Sequence, residues 1–247
     1  MGKKQEKTNF NKSKRFNFAL NWADVDGREY RQEILDLANK IGRTKAGTSR
    51  EAIPFGPEYY CLEPILNPYQ AKIAMHLKFR EKVSAQDVAK ESGEPYEKVK
   101  EALDYIAWAG VAFVNTVDGV DMYWQDIFVP GHLEMINNNK ELVEKYPEVA
   151  EAFYFFGSKK GPMAAGIMPI GGGPMRVLPI ERSIDGNSRR ASYEELSKHL
   201  NEATVFSVSD CSCRTSREAM GEGCGHLKEN MCIQMDHAAE YYIKTGR

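Results

Sequence analysis

The chain has 247 residues, of which 42% are hydrophobic and 28% charged, and its formal net charge is −2 at pH 7. These values suit a soluble globular protein of two domains, and the near-neutral balance excludes a general affinity for polyanions. No apolar run approaches the roughly 20 residues that cross a bilayer, and no apolar core follows the basic start as it would in a signal peptide. We therefore expect a cytoplasmic protein without a membrane partner.

Residues 1–27 are predicted to form a basic N-terminal tail. The first fifteen residues contain six Lys or Arg and one Glu. A solvated terminus is the expected role, and contact with nucleic acid or an acidic protein is the alternative.

Residues 28–160 are predicted to form a mainly helical region. Residues 28–40 place Ile34, Leu35 and Leu37 in a helical pattern, and prolines make residues 41–67 irregular. A helix opens at Asn67-Pro68 and is expected to continue to Phe79.

Two further helices and a hairpin follow. Ser84 caps a helix that Gly93 ends, and Glu94-Pro95 opens a third helix. The turn Asp118-Gly119 joins two β-rich runs in a predicted hairpin. Three helices and a two-stranded wing predict a winged helix-turn-helix over about residues 67–126. The third helix mixes lysines with acids, so nucleic-acid binding is not expected. A structural or docking role is expected instead.

Residues 161–247 are predicted to form a smaller, Cys-rich domain. Residues 130–160 are predicted to be helical, with a break at Pro147. Residues 161–180 are rich in Gly, Pro and Met, and a short strand is predicted at Met175–Ile180. Ser192 begins another helix, with Glu195 in the capping-box position. The glycine run beginning at Gly171 matches no phosphate-binding pattern, and its neighbouring methionines are interpreted as irregular core filling.

Four of the five cysteines lie near the C-terminus with the spacing C-x-C-x10-C-x7-C: Cys211, Cys213, Cys224 and Cys232. Clustered thiols in a reducing compartment indicate a metal centre. Structural zinc usually takes a pair separated by two to four residues, whereas an iron–sulfur cluster offers separate iron atoms to a C-x-C pair. Zinc, a disulfide and free thiols remain alternatives.

Neighbouring residues refine this prediction. Glycines at 221, 223 and 225 allow close backbone approach and N–H donation to a bulky ligand. Arg214 and Arg217 either offset thiolate charge or lie on the surface. His226 and His237 are expected not to be ligands, and Cys61 is expected to be a buried apolar residue.

A helix is predicted from about Asn230, with Cys232 in its first turn, where the helix dipole favours a thiolate. Met235, Ala239 and Tyr242 would pack inward along this helix. Gly246 would end it.

The segment beginning SVSDCSCRTSREAMGEGCGHLKENMC resembles a family of iron–sulfur proteins of anaerobes with C-x-C-R…G-C-G…C before a helix. The string MPIGGGPMRVLPIE and the winged-helix-like region extend the resemblance over roughly residues 60–247. The family is described as 4Fe–4S ferredoxin-type, or as the N-terminal half of flavin- and NAD-linked pyridine nucleotide-disulfide oxidoreductases. The resemblance implies that the four clustered cysteines bind a [4Fe–4S] cluster.

The predicted fold is therefore α+β and mainly helical, with a winged-helix-like domain followed by a small iron–sulfur domain. The predicted function is single-electron transfer as an oxidoreductase component, with flavin or NAD only on a partner domain or subunit. No hydrolase-type catalytic arrangement is recognisable. We expect the electron-transfer component of an oxidoreductase rather than a complete enzyme. A redox-sensing winged-helix regulator and a zinc-stapled interaction protein are the alternatives.

Overall fold

A computed structural model describes residues 27–42, 51–126, 128–157 and 196–247. The predicted tail up to residue 26, the Gly/Pro/Met-rich stretch, the strand Met175–Ile180 and the capping box at Ser192 lie outside the described residues. So does the predicted domain boundary at 160/161.

The described part is an α+β fold dominated by helices, as the sequence predicts. The helices are α1 (Gln32–Gly42), α2 (Pro57–Tyr60), α3 (Pro68–Ala74), α4 (Ala85–Ser92), α5 (Tyr96–Ala109), α6 (Leu133–Asn137), α7 (Lys140–Lys145), α8 (Glu148–Gly157), α9 (Leu196–Glu202), α10 (Ser212–Ala219) and α11 (Asp236–Lys244). The strands are β1 (Val83–Ser84), β2 (Phe113–Val117), β3 (Val120–Trp124), β4 (Phe206–Ser209) and β5 (Cys232–Met235). Among these described helices, none is both long and apolar enough to span a bilayer.

Local capping explains where the central helices begin and end. The Asn67 side chain caps α3 in a reciprocal box with Gln70, and Ser84 does the same for α4 with Asp87. Gly93 and Gly110 end α4 and α5 in the left-handed conformation.

Two antiparallel sheets accompany the helices. β2 and β3 form the predicted hairpin, with Asp118 and Gly119 both at positive φ in its turn, and β1 pairs with β3 in the order β1-β3-β2. β4 and β5 form a separate two-stranded sheet. The third strand β1 was not predicted, because a two-residue strand has no alternating pattern of its own.

Two predictions about element extent were wrong. The helix opened by Asn67-Pro68 ends at Ala74, because Phe79 pairs with Gln125 beyond β3 and draws the chain into an extended path. The stretch 41–67, predicted to be irregular, contains α2, a buried helical turn begun by Pro57.

One hydrophobic core joins α1 to α8 with β2 and β3, and α11 belongs to it. Tyr241 of α11 is fully buried, and its hydroxyl donates to the Ala107 carbonyl at 2.7 Å. Its ring lies 5.1 Å from that of Phe113. On the surface, Lys244 Nζ pairs with Asp121 at 2.6 Å. The C-terminal helix therefore anchors the cysteine segment to the helical body.

Candidate metal centre

Strand pairing brings cysteines that are distant in sequence to one place. Cys211 is the N-cap residue of α10, and Cys213 lies in the first turn of that helix. Cys232 begins β5 and pairs with Ser209 of β4, two residues before Cys211. The start of α10 and the start of β5 are therefore adjacent.

The three thiols at this junction lie close enough to interact electrostatically. Burial, and then the neighbouring Cys211, raise the pKa of Cys213, and the same causes raise the pKa of Cys232 to about 11. Three thiolates this close would repel each other, and a cationic centre between them would relieve the repulsion.

Backbone N–H groups at the start of α10 suit thiolate ligands. The Ser212 backbone amide lowers the pKa of the Cys232 thiol, which partly offsets the larger effect of burial. The first turn of a helix also carries a partial positive charge. On the other side of the junction, the Cys211 N–H donates to the Lys228 carbonyl at 2.8 Å, which fixes the loop before β5. The donor set therefore fits a thiolate-bound centre.

Cys224 is exposed on the loop between α10 and β5, and no hydrogen bond within the described ranges joins it to another thiol. Gly221 and Gly225 flank it at φ of 70° and 77°, where a side chain would be strained. Across the described parts of the chain, no three His, Cys, Asp or Glu side chains are arranged to hold a metal ion. The structure thus brings together three of the four predicted ligands without a formed coordination shell.

The prediction that Cys232 lies in the first turn of a helix was wrong. Cys232 is in strand β5, and the final helix begins only at Asp236. Pairing with β4 overrides the local helical pattern, and Asp236 then accepts a hydrogen bond from the Thr204 N–H at 2.9 Å. Ala239 and Tyr242 are buried as predicted.

Alternation along the strands directs Cys232 inward. Ser209 and Cys232 share the face toward the helical body, whereas Phe206, Val208 and Ile233 lie exposed on the opposite face. Cys232 is partly buried on this face.

The remaining candidates have other surroundings. His226 and His237 are both exposed, and neither hydrogen-bonds to a thiol in the part of the chain that is described. Arg214 donates to the Leu227 carbonyl, and Arg217 pairs with Glu222 at 3.0 Å. Cys61 is fully buried in the hydrophobic core, which confirms that prediction.

Sequence reasoning missed the residues that support this junction from α6. Asn137 Nδ2 donates to the Ser212 carbonyl at 2.6 Å, and Asn138 Nδ2 contacts Ser209 Oγ at 3.3 Å. Glu134 lies near Cys213, and burial raises the pKa of this carboxyl to about 7. Three consecutive asparagines at positions 137–139, beside the apolar Met135 and Ile136, were the available signal.

Comparisons with known protein families, with curated proteins and with solved structures gave no match. The function proposed for this chain therefore depends on the chemistry of its own residues.

Proposed function

We propose that the chain is an iron–sulfur electron-transfer protein or oxidoreductase subunit, in which Cys211, Cys213, Cys224 and Cys232 hold a [4Fe–4S] cluster. The observation that carries the proposal is the pairing of β4 with β5, which places Cys232 beside Cys211 and Cys213 at the start of α10. Thiolates are the usual ligands of such clusters, and N–H donors to sulfur tune their reduction potentials.

Cys224 would supply the fourth ligand from its glycine-flanked loop. The left-handed glycines allow tight turns on either side of it, and its side chain is exposed. When bound, a [4Fe–4S] cluster accepts or donates one electron at a time. Four cysteine ligands leave no iron open to a substrate, so we place the chemistry on a flavin- or NAD-dependent partner.

We assign the winged-helix-like region, about residues 67–126, to structural support or docking. On α5 the two lysines that could face a phosphate backbone are paired with acids, one just before the helix and one within it. Lys98 Nζ lies 3.3 Å from Glu94, and Lys100 Nζ lies 2.6 Å from Asp104. This pairing weakens the positive field that binding to nucleic acid needs. The free thiols favour the reducing cytoplasm as the compartment.

Anaerobic reconstitution with iron and sulfide tests this function. We expect a brown protein with broad visible absorbance and, after reduction, an EPR signal from about one cluster per chain. Cys213→Ser should abolish or convert that signal, because it removes one of the three neighbouring thiols at the start of α10.

Cys61→Ala is the matched control, because Cys61 is buried in the hydrophobic core and is not one of the four proposed ligands. It should keep the full signal. A colourless protein that binds one zinc ion per chain would overturn the proposal and favour the zinc-stapled alternative. Duplex binding that changes with cluster oxidation would instead favour a regulator. A full signal in Cys224→Ser would remove that cysteine from the ligand set.

A further inference from the structure

Three consecutive asparagines, Asn137 to Asn139, lie where α6 ends and α7 begins. All three are buried, but they support different parts of the molecule. Asn137 and Asn138 reach the cysteine segment, whereas Asn139 does not. Asn139 Nδ2 donates to the Trp108 carbonyl at 2.9 Å, and its Oδ1 accepts from the Leu142 N–H at 3.1 Å. Asn139 therefore joins α5 to α7 and belongs to the helical body.

Asn137 holds the peptide between two proposed ligands. Its Nδ2 donates at 2.6 Å to the carbonyl of Ser212, the residue between Cys211 and Cys213. The Ser212 peptide also lies near Cys232, because Ser209, three residues earlier, pairs with Cys232 across the sheet. A shift of Ser212 would therefore move Cys211 and Cys213 relative to Cys232.

Asn138 holds the strand opposite Cys232. Its Nδ2 lies 3.3 Å from Ser209 Oγ and 3.1 Å from the Tyr242 hydroxyl. Ser209 is the cross-strand partner of Cys232, and Tyr242 is on the helix that follows β5. One carboxamide thus connects the elements on both sides of the Cys232 strand.

Both asparagines have a buried acceptor that is not satisfied. Asn137 Oδ1 and Asn138 Oδ1 are buried without a hydrogen-bond partner in the described ranges. Such an atom costs about 1–3 kcal/mol, and apolar side chains would avoid this cost. Stability alone therefore does not account for two amides at these positions.

We infer that Asn137 and Asn138 are positioning residues for the cluster ligands, holding the start of α10 and the Cys232 strand at the separation that cluster binding requires. The inference rests on the proposed function. Neither asparagine is a ligand. Each acts through a backbone or hydroxyl group next to a ligating cysteine.

Cluster release to an iron chelator under anaerobic conditions tests the inference on the full-length reconstituted protein. Asn137→Ala and Asn138→Ala should each release iron about fivefold faster than wild type, the factor typical of one lost hydrogen bond. Their reduction potentials should also shift, because the Ser212 peptide moves relative to the Cys232 sulfur. Asn139→Ala is the matched control and should release iron at the wild-type rate.

Amide hydrogen exchange of the cluster-free protein provides a second readout. Asn137→Ala should accelerate exchange in residues 210–213, whereas Asn139→Ala should accelerate it in residues 140–143. Ser209→Ala deletes one hydroxyl and leaves the asparagines in place. It should reproduce part of the faster iron release of Asn138→Ala, and it replaces that variant if the asparagine variant folds poorly.

Equal release rates for the three alanine variants, with unchanged exchange in residues 210–213, would overturn the inference. Failure of the wild-type protein to bind iron would instead refute the proposed function. The exchange pattern would still decide whether Asn137 and Asn138 position the cysteine segment.

Discussion

His132 is a fully buried histidine whose two ring nitrogens both have backbone partners. Nδ1 lies 3.1 Å from the Gly110 carbonyl, which can only accept, so this nitrogen carries the proton. Nε2 accepts from the Asp126 N–H at 3.1 Å. Burial lowers the pKa of His132 to about 4, despite the nearby Asp126 carboxylate. The neutral ring is thus part of the junction between α5 and α6.

We predict that His132 makes the free energy of unfolding fall as the pH drops from about 6.5 to about 4. In that range the unfolded chain binds a proton that the folded ring excludes, at about 1.4 kcal/mol per pH unit. Above pH 6.5 this contribution is complete and constant. Urea unfolding of wild type and His132→Gln at pH 7.5, 5.5 and 4.5 measures it.

The wild-type advantage over His132→Gln should shrink on acidification. Glu134, whose pKa is raised to about 7, is present in both proteins, so its opposite trend cancels in the difference. A difference that does not change with pH would contradict the prediction.

At the scale of elements, the ends of α4 and α5 look alike in sequence but differ in their surroundings. Both helices end at a left-handed glycine, with φ of 72° at Gly93 and 95° at Gly110. A Cβ on Gly93 would meet nothing within 4 Å, whereas one on Gly110 would lie 2.5 Å from the Ile136 backbone nitrogen. The end of α5 therefore packs closely against α6, the helix that ends at Asn137.

We predict that Gly93→Ala costs about 1–2 kcal/mol of folding stability, the usual cost of left-handed backbone for alanine. Gly110→Ala should cost more, at least about 3 kcal/mol, because two backbones must separate. Urea unfolding midpoints measure both costs. Equal costs would mean that α5 and α6 can part freely at this point.

At the scale of the whole molecule, α11 connects the cysteine segment to the helical body. Besides the burial of Tyr241, Arg247 Nε donates to the Met135 carbonyl at 3.0 Å. Asn115 on β2 donates to the His237 carbonyl at 3.2 Å. These contacts join residues more than 100 positions apart, so the cysteine segment and the body should unfold together.

We predict that Tyr241→Ala lowers the free energy of unfolding by about 3–5 kcal/mol, as loss of a large buried aromatic does. In the reconstituted protein, cluster absorbance and far-UV circular dichroism should be lost at the same, lower urea concentration. Ile243→Ala on the same helix should change stability by less than about 1 kcal/mol, because Ile243 is 58% exposed. Separate transitions for the two signals would show that the cysteine segment unfolds independently.

Short-range signals were enough to predict much of this fold. The capping residues Asn67 and Ser84, the stop at Gly93 and the turn Asp118-Gly119 act within three or four residues, so helices and hairpin appear where the sequence indicates them. The four cysteines were predicted as ligands from their spacing in the sequence. That spacing does not determine which of them lie close together in the folded protein.

Long-range contacts decided the rest. Cys232 is in a strand because β4, more than twenty residues earlier, pairs with it. That pairing also places Cys232 beside Cys211 and Cys213 at the start of α10. The support from Asn137 and Asn138 depends on partners more than 70 residues away. A sequence determines which side chains can bind a metal, whereas only tertiary packing determines which of them lie together, because the energy that brings them together comes from contacts spread over the whole chain.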